Sequence, residues 1–139
     1  MGRTELAFVA LGSNLGDREA MLAFGRAELA ALPETRVMAA SAIEETAPLG
    51  PVEQGPYLNQ MVLLETSLAP AALLAACGDI ERRAGRARSQ RWGPRTLDLD
   101  IVRYGELSVH QPDLEIPHPE LARRPFWQRG IAELESHAQ

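Results

Sequence analysis

Apolar positions along this chain alternate between short continuous runs and stripes at helical spacing. Leu6-Ala7-Phe8-Val9-Ala10-Leu11 is a continuous apolar run and predicts a buried strand over 5–11. Gly12-Ser13-Asn14-Leu15-Gly16 is rich in turn formers. Asp17 is placed to cap a helix whose apolar stripe is Ala20, Met21, Phe24, Ala27, Leu29 and Leu32, with Pro33 as its stop. A second strand is expected over 37–45, although Met38-Ala39-Ala40 is also compatible with a helix. A third covers 57–66. Pro70 fits the first turn of a helix running to about Arg83, with Leu73, Leu74, Cys77 and Ile80 on one face. A fourth strand covers 97–104 and ends at Gly105.

The order is strand, helix, strand, strand, helix, strand. That is the split β-α-β arrangement of ferredoxin-like α+β folds, with an antiparallel sheet and two helices on one face. Two stretches stand out as long loops. Residues 46–56 hold three prolines and two glycines, and 85–96 is rich in arginine. Beyond Gly105 the pattern weakens to an extended Ile116-Pro117-His118-Pro119 piece and one helical turn over 120–124, a C-terminal extension to the core. No internal repeat or linker interrupts the chain, so 1–139 reads as a single domain.

Composition narrows the function classes. A net charge of −5 argues against general nucleic-acid binding. No long apolar run suggests a membrane helix, and residues 3–17 carry no basic-then-apolar leader, so a cytoplasmic location is the expectation. The single Cys77 excludes an intrachain disulfide and reads as a small core residue. Every basic residue is arginine; the missing lysine removes Walker A, Schiff-base and lysine-base chemistry. Arg82, Arg83, Arg86, Arg88, Arg91 and Arg95 cluster within one short region of an acidic chain, which suggests a polyanion site. For Arg82 and Arg83, cations completing a helix end are the simpler account.

The chemistry concentrates in Arg91-Trp92-Gly93-Pro94-Arg95-Thr96-Leu97-Asp98-Leu99-Asp100. On a strand, Asp98 and Asp100 share one face, while Leu97, Leu99 and Ile101 share the other. Two convergent carboxylates suit a hard divalent cation such as Mg²⁺, completed by phosphate oxygens. Arginines upstream supply the phosphate clamp. The pattern points to nucleotide phosphate chemistry.

With those residues in view, the chain resembles the 6-hydroxymethyl-7,8-dihydropterin pyrophosphokinase family. The resemblance runs from Leu11 to Phe126. It is carried by Leu11-Gly12-Ser13-Asn14-Leu15-Gly16-Asp17, Thr46-Ala47-Pro48-Leu49-Gly50, Tyr57-Leu58-Asn59, the 91–100 block and Pro117-His118-Pro119. It implies the same ferredoxin-like fold and transfer of pyrophosphate from ATP to the hydroxymethyl group of the reduced pterin, releasing AMP, in folate biosynthesis.

The resemblance also implies roles. Asp98 and Asp100 would hold two Mg²⁺ ions; with Arg86 and Arg95 they form the catalytic set. Glu81, Arg86, Arg88, Trp92, Arg95, Ile101, His118 and Arg124 match nucleotide-side positions, Trp92 on a loop that closes over the site. Thr46, Pro48, Leu49, Tyr57, Asn59, Asp98 and Phe126 match pterin-side positions, with Tyr57 and Phe126 as the stacking pair and Asn59 reading the ring edge. The partners implied are ATP and the pterin, with no nucleic acid or membrane, in a monomer. No residue stands out as a general base, so metal-assisted positioning is expected to carry the reaction.

Three departures from the family pattern matter. Gly78, Asp113 and Glu115 stand where nucleotide contacts are found in other members, and the two acids would weaken ATP binding. Trp127-Gln128-Arg129-Gly130-Ile131 replaces an apolar strand, and Arg129 in a strand would need a partner or solvent. His110, His137, Glu44 and Glu45 read as solvated surface groups. The alternative function is a non-catalytic pterin- or nucleotide-binding module of the same fold.

Overall fold

The structure is a computed structural model that describes residues 3–14, 16–47, 56–88 and 97–138, with the side chains of all but 86–88 and 138 of these. Five strands form one sheet: β1 (Glu5–Ser13), β2 (Thr35–Ala40), β3 (Glu44–Thr46), β4 (Tyr57–Thr66) and β5 (Asp98–Tyr104). The path runs β2-β4-β1-β5, with β3 also paired to β4, and the pairings are antiparallel. Helices α1 (Arg18–Ala30) and α2 (Pro70–Arg88) connect the strands as the split β-α-β order requires. Asp17 caps α1, its carboxylate accepting the Ala20 N–H at 3.0 Å.

Alternation along the strands sorts the core into two layers. Ala7, Val9 and Leu11 of β1 and Val62 and Leu64 of β4 join Leu22 and Leu29 of α1 and Leu73, Cys77 and Ile80 of α2. The opposite face carries Phe8, Ala10, Met61, Leu63 and Val102. A register shift between β1 and β5 at Phe8/Val9 lets Leu99, Ile101 and Tyr104 all reach the helical layer. Gly105 ends β5 at φ +52, where a Cβ would lie 2.5 Å from the Glu5 carboxylate.

Several expectations need correction. The second strand is two pieces, β2 and β3, separated at 41–43. There Ser41 leaves the ladder, and its hydroxyl accepts the Met61 N–H at 2.9 Å. Helix α2 continues past Arg83 to Arg88, so 85–88 is helix rather than loop. Arg83 is therefore not at a helix end; it ion-pairs with Glu28 of α1 and Asp79. After β5 a hairpin forms from β6 (Val109–Gln111) and β7 (Leu114–Ile116), which the sequence reading passed over. A 3-10 turn over Leu121–Arg123 fulfils the expected helical turn.

The largest correction concerns the tail. Residues 127–131 are not a strand but part of helix α3 (Pro125–Leu134). Pro125 opens it at the first turn, and Trp127, Ile131 and Leu134 bury one stripe on the sheet face opposite α1 and α2. Gly130 lies so close to the sheet that a Cβ there would meet Met61 Cβ at 2.7 Å. Arg129 faces outward and finds its partner in Glu44, while Glu45 pairs with Arg18 at 3.1 Å. Glu44 and Glu45 are thus paired rather than simply solvated. Among the described residues, no helix is long and apolar enough to cross a membrane.

Candidate active site

Where α3 stops short of covering the sheet, a hollow of about 280 Å³ remains. Its floor is Ala10, Leu11 and Gly12 of β1. Its walls bring together Thr46, Tyr57, Asn59, Asp98, Asp100, Arg124 and Phe126. All seven were expected from sequence to act on one substrate or the other. They come from β3, β4, β5 and the start of α3, elements far apart in the chain.

The register explains the convergence. Gly12 pairs with Asn59 on one side and Asp98 on the other. All three project onto the α3 side, and the glycine leaves that floor open. Asn59 Nδ2 donates to Thr46 Oγ1 at 2.6 Å and to the Glu44 carbonyl at 3.4 Å. Its donors are committed to the protein, and Oδ1 lies 3.5 Å from where a Gly12 Cβ would stand. The amide therefore offers the hollow an acceptor, which suits a ring edge that brings N–H donors. Tyr57 and Phe126 supply aromatic walls for a flat ring.

Asp100 also lines a second groove of about 280 Å³ with Leu74, Leu99, Ile101, Leu114 and His118. Gln111, Asp113 and Glu115 of the β6–β7 hairpin also line it. Ile101 and His118 thus sit on the groove side, and Asp100 stands at the junction of the two spaces. The Ile116–Pro117 peptide preceding His118 is cis. His118 is held from three directions: its N–H donates to the Val102 carbonyl at 2.9 Å, Nδ1 accepts the Glu120 N–H at 3.0 Å, and its ring meets Trp127 edge-on at 4.9 Å. With Nδ1 accepting, the neutral ring carries its proton on Nε2. That atom lies 3.7 Å from Asp100 Oδ1.

Arg124 lies with its guanidinium carbon 4.7 Å above the Trp127 ring, at the lip of the hollow. Trp127 itself lines the hollow and is buried, a role the sequence reading missed because it placed that residue in a strand. The signal was present in the spacing of Trp127, Ile131 and Leu134 behind Pro125. Glu81 sits apart from both spaces; its Oε2 accepts the Leu99 N–H at 2.7 Å. Burial pushes the neighbouring Cys77 thiol up to about 12, with the charges of Glu81 and Asp100 adding to the effect. Pro48, Leu49, Trp92 and Arg95 lie outside the described residues, and Arg86 and Arg88 are described only as backbone in the last turn of α2. His110 is exposed, with Glu115 at 3.6 Å.

The model of one protein family, 7,8-dihydro-6-hydroxymethylpterin-pyrophosphokinase (HPPK), matches residues 8–136. The chain belongs to this family. Among curated HPPK relatives, the 2-amino-4-hydroxy-6-hydroxymethyldihydropteridine pyrophosphokinase of Methylorubrum extorquens is 42% identical over 128 residues, covering 92% of this chain and 81% of the relative. That of Pseudomonas aeruginosa is 42% identical over 127 residues, covering 91% and 78%. That of Bacillus subtilis is 41% identical over 129 residues, covering 93% and 77%.

Solved structures agree on the fold. The HPPK-DHPS chain of Plasmodium falciparum superposes with a TM-score of 0.69 at 13% identity, covering 89% of this chain. This chain spans only 40% of that longer one. The antiparallel sheet with its helices is thus the HPPK fold, in keeping with the ferredoxin-like α+β class expected from the order of elements.

Proposed function

We propose that this chain transfers a pyrophosphoryl group from ATP to the hydroxymethyl oxygen of 6-hydroxymethyl-7,8-dihydropterin in folate biosynthesis. The observation that carries the reading is the shared position of Asp100. A hollow lined by aromatic walls and an amide acceptor lies on one side of it, and a groove with apolar walls on the other. The pterin occupies the hollow, stacked between Tyr57 and Phe126 with its donor edge on Asn59 Oδ1; Thr46 fixes that amide, and the family resemblance assigns Pro48 and Leu49 to the pterin as well. The nucleoside of ATP lies in the groove beside Ile101. Its triphosphate reaches across Asp100 and Asp98 toward the hollow.

In the reaction, the pterin hydroxyl oxygen bonds to the β-phosphorus. The bond from that phosphorus to the oxygen bridging it to the α-phosphate breaks, AMP leaves, and the hydroxyl proton is released. Such transfers need alignment and charge neutralisation more than covalent help from the protein.

The donor set suits Mg²⁺: two half-exposed carboxylates on one face of β5, and no cluster of three or more metal-ligating side chains among the described residues. A pair of carboxylates leaves coordination positions for phosphate oxygens, as Mg²⁺ prefers. Asp98 and Asp100 would hold two ions, which neutralise the triphosphate and polarise its oxygens. The chain's own groups do the rest. Arg86, Arg88 and Arg95 clamp the phosphates, Arg124 meets them at the lip, and His118 donates from Nε2 beside Asp100. Trp92 is the position to which the family resemblance assigns the exclusion of water from the bound substrates. The reading further takes the protein as a monomer acting as one domain in the cytoplasm.

The direct test is AMP release from ATP and Mg²⁺, with and without the pterin. AMP formed only with the pterin supports transfer. Asp98→Asn should then lower kcat by about 10²–10³-fold, the scale of losing one preorganised electrostatic group, with its circular dichroism unchanged. Pterin binding without AMP in the wild type would overturn the reading.

A further inference from the structure

Glu81 occupies a position that direct contact with a nucleotide does not explain. Among the described residues, strand β5 pairs with β1 and with no other strand, so it forms an edge of the sheet. Its outward N–H groups therefore need partners from elsewhere. Leu99 lies between the two aspartates, and its N–H is taken by Glu81 Oε2 at 2.7 Å, a charge-assisted bond from helix to strand. Leu73, Cys77, Ile80 and Ala84 bury the apolar stripe of α2 against the sheet, so the backbone that carries Glu81 is itself fixed.

We propose that Glu81 is a positioning residue for the aspartate pair: by holding the Leu99 N–H, it sets the course of β5 along which Asp98 and Asp100 are presented. This inference rests on the pyrophosphoryl-transfer reading. The backbone bond leaves Leu99 free to bury its side chain in the helical layer while both neighbours face the hollow. Cys77 stands one helical turn before Glu81 and is buried in the same helical layer as Leu99. The same helix runs on to Arg86 and Arg88. One joint thus ties the arginine-bearing helix to the metal-binding strand.

Charge and reach separate this role from direct contact. Glu81→Gln keeps an oxygen at the right distance without the charge. Glu81→Asp keeps the charge but is a methylene short. Three readouts apply: exchange of the Leu99 amide by NMR, the Mg²⁺ concentration giving half-maximal rate, and kcat against the pterin KM. In Glu81→Ala and Glu81→Asp, Leu99 exchange should accelerate at least about ten-fold and kcat should fall about 10–100-fold, as for partners that orient metal ligands. The Mg²⁺ requirement should rise, and the pterin KM should stay within about two-fold. Glu81→Gln should restore slow exchange and most of kcat.

The proposal is overturned if Glu81→Gln is as impaired as Glu81→Asp or worse, or if Leu99 exchange is unchanged in Glu81→Asp. Should Glu81→Ala fail to fold, the Gln and Asp variants carry the comparison alone. Should the wild type make no AMP, the functional reading fails, and amide exchange with Mn²⁺ titration still decides the positioning role.

Discussion

Asn59 and Asp98 face each other across a single glycine: each pairs in register with Gly12, one from β4 and one from β5. Two strand spacings separate them, about 10 Å. A flat bicyclic ring can lie over Gly12 with its donor edge at Asn59 and its reactive arm toward Asp98. A Cβ at Gly12 meets Asn59 Oδ1 at 3.5 Å and Tyr57 Cδ2 at 3.7 Å, ordinary contact distances. Alanine therefore fits the fold, whereas the branches of valine enter the hollow. Gly12→Val should weaken pterin binding by at least about ten-fold while thermal stability holds or rises, since β-branched residues favour strands by up to about 1 kcal/mol. Calorimetry with the pterin and a melting curve check both halves. Unchanged pterin affinity would remove the ring from this floor.

How much of this arrangement is legible in the sequence depends on the range of the interactions. Strand β4 is delimited at both ends as expected, because an apolar run lies between Pro56 and the Ser67 turn. The Asp98/Asp100 face follows from a period of two over a few residues. The strand expected over 127–131 comes from the family pattern, and the helical stripe of α3 becomes useful only because a sheet face lies beneath it. The β6–β7 hairpin has three-residue strands, too short to show a period. The Glu81–Leu99 bond joins residues 18 apart, and no local pattern encodes it.

The close approach of α3 to the sheet gives a second test. Gly130 stands where a Cβ would lie 2.7 Å from Met61 Cβ, an atom near the backbone that cannot swing aside. Gly130→Val must push α3 outward, at a cost of about 1–3 kcal/mol for overpacking. The same displacement carries Phe126 and Trp127 away from the hollow, so pterin affinity should fall together with the denaturation midpoint. A variant that loses stability but keeps full pterin affinity would show that the wall moves independently of the helix.

Cys77 predicts a pH signature. Burial raises its thiol from 9.0 to about 12, so the folded chain holds that proton where the unfolded chain loses it. Between these values the unfolded state binds fewer protons, and stability must fall as pH rises. The slope contributed is at most about 1.4 kcal/mol per pH unit, beginning near 9 and ending near 12. Cys77→Ala should flatten that part of the stability profile. In the native protein at pH 8, the thiol should resist disulfide-exchange reagents until the chain is unfolded. Rapid labelling of the native protein would contradict the burial that the argument uses.

The acids that the β6–β7 hairpin brings to the groove bear on ATP binding. Asp113 and Glu115 line the space assigned to the nucleoside, along with Asp100, and both are exposed. Their charges repel the polyanion that must enter, through solvent that screens them over about 8 Å at physiological salt. Asp113→Asn should therefore lower the KM for ATP by about two- to five-fold at low salt, a change of the size expected for one exposed charge. The gain should shrink as salt rises, and kcat should hold, because a screened repulsion of this kind opposes entry of the polyanion. Glu115→Gln should act more weakly, since the Glu115 carboxylate is turned toward His110 at 3.6 Å. If Asp113→Asn instead raises the ATP KM, the carboxylate accepts a hydrogen bond from the nucleoside, and attraction rather than repulsion governs that part of the groove.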